Sequence, residues 1–182
     1  MLTTTSREER LRPALPGLLL AVTTLLFGFG LGIVFGLNED VVKSRLAASA
    51  TAVHQTVYHG DAAAAKPVLE KSWAYMQRAH IHAGALGTSA IALILVLVLL
   101  GTGAAFTRII GIGLGAGSLG YSVFWLWAGF RAPGLGSIGA AKESLSWLAM
   151  PASGAVVLAT AAVAIVCLTA LAGRRSPASS PG

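Results

Sequence analysis

Two histidines and an arginine stand at the start of a long apolar run in this sequence. The stretch from Arg78 to Gly87 reads RAHIHAGALG, and TSAIALILVLVLL follows it directly. Imidazole is a common ligand of zinc, copper and haem iron, so His80 and His82 are the first candidates for a cofactor site. They are two residues apart, about 200° around a helix, so one helix cannot direct both side chains at one ion.

The other two histidines, His54 and His59, lie in the segment before this run. If that segment folds back over the start of the run, all four imidazoles face one side. We therefore predict a haem or transition-metal site with His80 as principal ligand, His54 or His59 as a second ligand, and His82 and Arg78 as further cofactor-binding residues. The alternative is that these histidines only hydrogen-bond backbone or lipid head groups. Their spacings, H-x4-H and H-x-H, match no strong zinc or c-type haem motif.

The stretch RAHIHAGALG resembles the arginine, histidine and later-glycine pattern that begins a helix in the catalytic subunits of haem-copper oxidases and nitric oxide reductases. It is also similar to the His-x-His-led span of small bacterial membrane proteins with four spans. The first resemblance implies an axial haem ligand at this position and a role in a respiratory or redox membrane system. In that family further ligands come from later helices, whereas this chain has no histidine after His82. A second ligand would have to come from His54, His59, a methionine or another subunit.

The composition places these residues in a membrane protein. Hydrophobic residues make up 55% of the 182 positions and charged residues 11%, and the mean hydropathy is +0.74. Crossing a bilayer takes about 20 apolar residues in helical form. Four charge-free intervals are long enough, and we predict an all-α integral membrane four-helix bundle. The predicted spans are 15–37, 81–100, 109–130 and 147–172.

The remaining segments are assigned around these spans. Residues 1–13 form a basic N-terminal segment, 14–173 the transmembrane domain, and 174–182 a disordered tail. The segment 38–80 is predicted to be helical, amphipathic and extracytoplasmic. Asn38 is expected to cap a helix that stops near Gly60, and Pro67 to stand in the first turn of a helix that continues into the second span.

Topology follows from the arginines and lysines. Arg10, Arg12, Arg174 and Arg175 directly flank spans, and positive flanks tend to stay cytoplasmic. We predict a multi-pass protein of the cell membrane with both termini in the cytoplasm. No basic cluster with interleaved aromatic residues is present, so the isoelectric point near 10.1 does not indicate a nucleic-acid partner.

The third span is rich in glycine. It contains GIGLGAGSLG, but a G-x-G-x-x-G pattern binds dinucleotides only between a strand and a helix. In a membrane helix, glycines four residues apart let helix backbones approach closely. Close packing, within the bundle or between protomers, is therefore predicted for Gly111, Gly113, Gly115 and Gly117.

Several function classes lack their motifs. The sequence has no Walker loop, no H-E-x-x-H and no G-x-S-x-G, so hydrolase and ATPase functions are not supported. The cofactor-binding hypothesis has two competitors. One is a cofactor-free interaction or assembly subunit that packs on other membrane subunits, or on itself, through the third span. The other is a small-solute carrier or channel formed by oligomers.

Overall fold

The computed structural model describes residues 4–173, which form six α-helices and, within that range, no strand. The helices are α1 Thr4–Leu11, α2 Leu15–Ala52, α3 Ala62–Leu100, α4 Ala104–Leu135, α5 Ile138–Glu143 and α6 Ser146–Gly173, with a 3₁₀ turn at Arg12–Ala14. The predicted all-α class is confirmed. The predicted disordered tail, 174–182, lies outside the described residues.

Four of these helices, α2, α3, α4 and α6, are long and apolar enough to cross a membrane. The central helix is α4, because it packs against all three others. By contrast, α3 and α6 touch only sparsely. Because α3 and α6 both pack on α4 but hardly on each other, a gap remains between α3 and α6. Residues of α4 lie at the bottom of this gap.

The segment after the first span is helical, and a kink at Asn38 separates it from the span. α2 continues from the apolar run to Ala52, although Asn38 departs from helical geometry with φ −133° and ψ 30°. Asn38 therefore divides α2 into two helical parts, and the second part begins at the predicted position but ends at Ala52 rather than near Gly60. Val42 and Leu46 of the expected apolar stripe are buried, and they pack beside Met76 of α3. The amphipathic face is thus covered by the chain's own next helix.

α3 begins a turn earlier than Pro67, the expected first-turn residue. Asp61 caps it, since Asp61 Oδ1 accepts from the amides of Ala63 at 2.8 Å and Ala64 at 3.3 Å. Such a cap satisfies amides that have no partner within the helix. The outer halves of α2 and α3 therefore form a continuous helical hairpin that projects beyond the spans.

The turn of this hairpin, residues 53–61, docks on the outer end of α4. The buried Tyr58 hydroxyl donates to the Pro133 carbonyl at 2.8 Å. Burial raises the pKa of Tyr58, so the phenol remains a donor over the whole neutral range. The hairpin is consequently tied to the bundle at its tip as well as at its base.

Candidate functional site

His80 faces α2. Its Nδ1 lies 2.8 Å from the Gly28 carbonyl oxygen, and the ring lies against Gly32, where an added Cβ would be 2.8 Å from the His80 Cε1. The side chain borders a recess of about 270 Å³ that Phe35 and Gln77 also line. Gly32 thus provides the room for the imidazole between the two helices.

His82 faces the opposite side of α3, towards α4. Its ring stacks on Tyr121, with centroids 5.4 Å apart and an angle of 12° between the planes. Trp125 meets the same ring edge-on at 5.8 Å. His80 and His82 therefore contact different helices, as their spacing in the sequence predicts.

His54 and His59 lie in the hairpin turn, far from both. The helical rise along α3 from Ala62 to His80 is about 27 Å at about 1.5 Å per residue. The four imidazoles therefore do not converge at one rim, because α3 is continuous and holds the turn away from His80 and His82. Within residues 4–173 no three His, Cys, Asp or Glu side chains are grouped so that they could hold a metal ion.

Arg78 lies one turn above His82 and is held by aromatic rings. Its guanidinium carbon is 5.2 Å from the ring centre of Tyr75 and 5.1 Å from that of Trp125. Such cation–π contacts orient an arginine without neutralising it. In the described part of the chain the one ion pair joins Lys43 and Glu39, so Arg78 has no carboxylate partner there.

We call these residues the polar–aromatic cluster. Its members are Tyr75, Arg78 and His82 of α3 and Tyr121, Phe124 and Trp125 of α4. The Trp125 Nε1 is buried and makes no hydrogen bond to any described residue. An unpaired donor in an apolar setting costs about 1–3 kcal/mol, and an acceptor that enters the cluster would remove that cost.

A lateral groove begins directly below the cluster, in the gap between α3 and α6. Its volume is about 430 Å³, and its lining residues are Leu86, Ser89, Ala90, Ala92, Leu93, Leu114, Ser118, Val156 and Thr160. Most of the lining is apolar, with three hydroxyl groups. The Ser118 hydroxyl donates to the Leu114 carbonyl at 2.6 Å and lies 3.5 Å from that of Leu86. The groove is thus a mainly apolar slot that opens sideways.

The cluster and the groove share the same faces of the same helices. On α3, His82 and Leu86 are one turn apart, and Leu93 continues the line two turns below. On α4, Trp125, Tyr121 and Ser118 follow one another at helical spacing. A charged and aromatic upper part therefore passes without interruption into an apolar lower part.

The glycines of the third span face other helices of the same chain. An added Cβ at Gly115 would lie 2.7 Å from the Gly17 carbonyl oxygen of α2, and one at Gly117 would lie 2.7 Å from that of Ala152 in α6. Gly111 and Gly113 have looser contacts, with Gly17 and with Ala159, both at 3.7 Å. The surface that motivated the interaction-subunit hypothesis is thus used within the bundle.

The sequence pattern singled out His80 and did not place Tyr121 or Trp125 in the site. The structure gives them a different setting, around His82 and Arg78. Two signals in the sequence point to this arrangement: Arg78, His82 and Leu86 are spaced four residues apart, and so are Tyr121 and Trp125. The spacing of residues along one helix does not show which other helix that face contacts.

Comparisons with family models, with curated proteins and with solved structures find no match to this chain.

Proposed function

We propose that this multi-pass membrane protein binds a lipid-type amphiphile with an anionic head group and one apolar chain. The head group would lie at the polar–aromatic cluster and the chain in the lateral groove. The observation that carries this proposal is the continuity of the two on shared faces of α3 and α4.

Charge supports an anionic head group. Arg78 is exposed and oriented by two rings, and it has no acidic partner among the described residues. A guanidinium binds carboxylate or phosphate through paired hydrogen bonds. His82 and the Trp125 N–H lie beside it and would add donors for the same group.

The lateral groove supports a chain that enters from the bilayer. Ligand sites in membrane bundles lie between helices, and their walls are mostly apolar. This groove opens between α3 and α6, which barely touch, so a lipid chain can enter without separating packed helices. The hydroxyls of Ser89 and Thr160 would contact an unsaturated or polar part of that chain.

Radiolabelled oleate tests the proposal, with the protein in nanodiscs and binding followed by scintillation proximity. We expect saturable binding that unlabelled oleate displaces at least about tenfold better than oleyl alcohol, because only oleate pairs with Arg78. Arg78→Gln should weaken binding about tenfold, whereas Lys66→Gln, on the exposed start of the same helix, should not. Ala92→Trp should block the groove.

The matched control for the groove is Ala164→Trp on α6, which is exposed and does not line the groove. It should bind oleate as the wild type does. Equal binding by Ala92→Trp and wild type would overturn the location, and equal competition by oleyl alcohol would overturn the anionic head group.

Haem or metal binding at His80 is a second candidate. The observation that favours it is the contact between Nδ1 and the Gly28 carbonyl, because ligating histidines commonly donate their other nitrogen to a carbonyl and present Nε2 to the metal. The recess beside His80 is small, so a haem would have to lie partly in the lipid. The second ligand would come from outside the described contacts.

An absorption spectrum and elemental analysis of the purified protein test this second candidate. A Soret band or stoichiometric metal is expected, lost in His80→Ala and kept in His82→Ala, since the two rings face different helices. Colourless and metal-free wild-type protein, after expression with added haem precursor and metal salts, would contradict it.

We also propose that the protein lies in the cell membrane with both termini in the cytoplasm. Arg12 and Arg108 line one cavity at the terminal end of the bundle, and Arg10 lies beside Gly101 there. This grouping supports the positive-inside assignment. Other membrane subunits or further copies of the chain remain proposed partners through the lipid-facing helices.

A further inference from the structure

A second cavity lies at the opposite end of the bundle from the polar–aromatic cluster. Its volume is about 560 Å³, and its lining residues are Arg12, Pro13, Pro16, Ala104, Ala105 and Arg108. We call it the arginine rim. Arg12 comes from the 3₁₀ turn before α2 and Arg108 from the second turn of α4, so two segments far apart in sequence each contribute one guanidinium to the same cavity.

Neither arginine is neutralised by the described part of the chain. Both are exposed, and neither pairs with an acidic group, since the one ion pair found between residues 8 and 173 is at the other end. The acidic residues closest in sequence, Glu8 and Glu9, form no ion pair with them. Two unpaired guanidinium groups on one cavity create a strong local positive potential.

The start of α4 adds donors to the same cavity. α4 begins at Ala104 after Gly103, and no side chain caps it. At the start of α4, the first backbone amide that donates to a carbonyl is that of Thr107, which donates to the Gly103 carbonyl at 2.9 Å. The amides of Ala104 and Ala105, which line the cavity, have no carbonyl partner within the helix and could donate to an anion there.

An apolar cavity adjoins the arginine rim and shares Pro16 with it. It has a volume of about 610 Å³, and its lining residues are Leu15, Pro16, Leu18, Leu19 and Val22. Because α2 is exposed along Leu15, Leu19 and Val22, this second cavity faces the hydrocarbon of the bilayer. A phosphate at the rim would thus have its acyl chain beside it.

We infer that the arginine rim binds a phosphate group, and that its source is an anionic phospholipid of the leaflet on the side of the chain termini. Guanidinium groups bind phosphate oxygens in pairs, and a helix start contributes amides with a favourable dipole. Basic pockets between spans are a known form of lipid head-group recognition. This site is separate from the lateral groove, so evidence for or against phosphate binding at the arginine rim does not bear on the proposed function.

Native mass spectrometry of the protein with equal amounts of phosphatidylglycerol and phosphatidylcholine tests the inference. We expect phosphatidylglycerol adducts to exceed phosphatidylcholine adducts by about tenfold or more, from charge-assisted contacts. Arg12→Gln with Arg108→Gln should abolish that preference. The matched control is Arg45→Gln with Lys66→Gln, which removes the same charge from the projecting hairpin and should keep it.

Inorganic phosphate without lipid distinguishes the two sources. Weak or no binding in ³¹P saturation-transfer spectra, with the lipid preference intact, supports a lipid head group. Arginine-dependent phosphate binding that fully displaces phosphatidylglycerol keeps the phosphate site and assigns it to a soluble ion. Should the double variant unfold, the two single variants must each lose part of the preference. An undiminished preference in the rim variants, or equal loss in the control, would overturn the inference.

Discussion

Gly17→Ala is expected to lower the free energy of unfolding by about 3 kcal/mol, the upper end of the cost of overpacking. An added Cβ at Gly17 would overlap the backbone carbon of Gly111 and lie 2.7 Å from its Cα. These are backbone atoms of another helix, so no side-chain rotation can relieve the contact. α2 and α4 would have to move apart, and the packing of Leu114 and Ile94 beside them would loosen.

The reciprocal change, Gly111→Ala, is the matched control. Its added Cβ would meet Gly17 Cα and Ile94 at 3.7 Å, an ordinary van der Waals distance, and alanine favours a helix over glycine by about 0.5–1 kcal/mol in water. We expect this variant to unfold at the same SDS concentration as the wild type or slightly above it. The two glycines form one contact, yet only one of them is required.

SDS-induced unfolding in mixed micelles, followed by circular dichroism, measures both variants under one condition. Gly115→Ala provides an independent check, since its Cβ would lie 2.6 Å from Leu20 Cβ and 2.7 Å from the Gly17 carbonyl oxygen. It should resemble Gly17→Ala. Equal stability of Gly17→Ala and Gly111→Ala would show that α2 and α4 do not approach as closely as the structure places them.

The different effects expected at Gly17 and Gly111 cannot be predicted from the sequence. Glycines four residues apart in the third span indicate a close helix contact, and that contact exists. Its partner is Gly17, which stands in the first span at the start of a buried stripe of small residues that continues through Ala21, Thr24 and Gly28. Only the relative position of α2 and α4 determines which of two facing glycines must lack a Cβ.

The spans themselves could be predicted, because charge-free apolar length is a local property and the bilayer selects for it directly. The path of the chain between spans was harder to predict. Asn38 carries a helix-start signal, and the helical geometry does break there, but the burial of Val42 and Leu46 beside Met76 of α3 depends on how the two helices pack. The local signal thus predicts the position of the break, whereas the partner of the apolar stripe is not a local property.

In the candidate site, too, the direction of a side chain on its own helix could be predicted, whereas its contacts with another helix could not. The shared face of Arg78 and His82 follows from helical periodicity, and so does the opposite direction of His80. That Tyr121 and Trp125 meet this face depends on how α3 crosses α4, which no spacing specifies. The prediction that four histidines converge failed for a related reason: the sequence does not show that α3 is one continuous helix from Ala62 onward, which keeps the turn about 27 Å from His80.

Gly136→Ala is expected to detach the hairpin turn from the outer end of α4. Gly136 ends α4 in the left-handed region with φ +63°, which costs about 1–2 kcal/mol for a residue with a Cβ. The added Cβ would also overlap Val57 Cγ1 and lie 3.8 Å from the Tyr58 ring. Relief of that overlap moves the turn and lengthens the bond from Tyr58 to the Pro133 carbonyl.

Gly101→Ala separates the two effects. Gly101 has φ +68°, so the conformational cost is the same, but its nearest neighbour is the Arg10 Nη1 at 3.1 Å, the flexible end of a long side chain. We expect Gly101→Ala to lose only the conformational part, while Gly136→Ala loses more and also exposes residues 53–61 to limited proteolysis. Because Tyr58 and Val57 are the residues of the turn that contact the end of α4, proteolysis of the turn is the sharper readout. Equal stability loss and equal protection of the turn in both variants would mean that the turn does not rest on the end of α4.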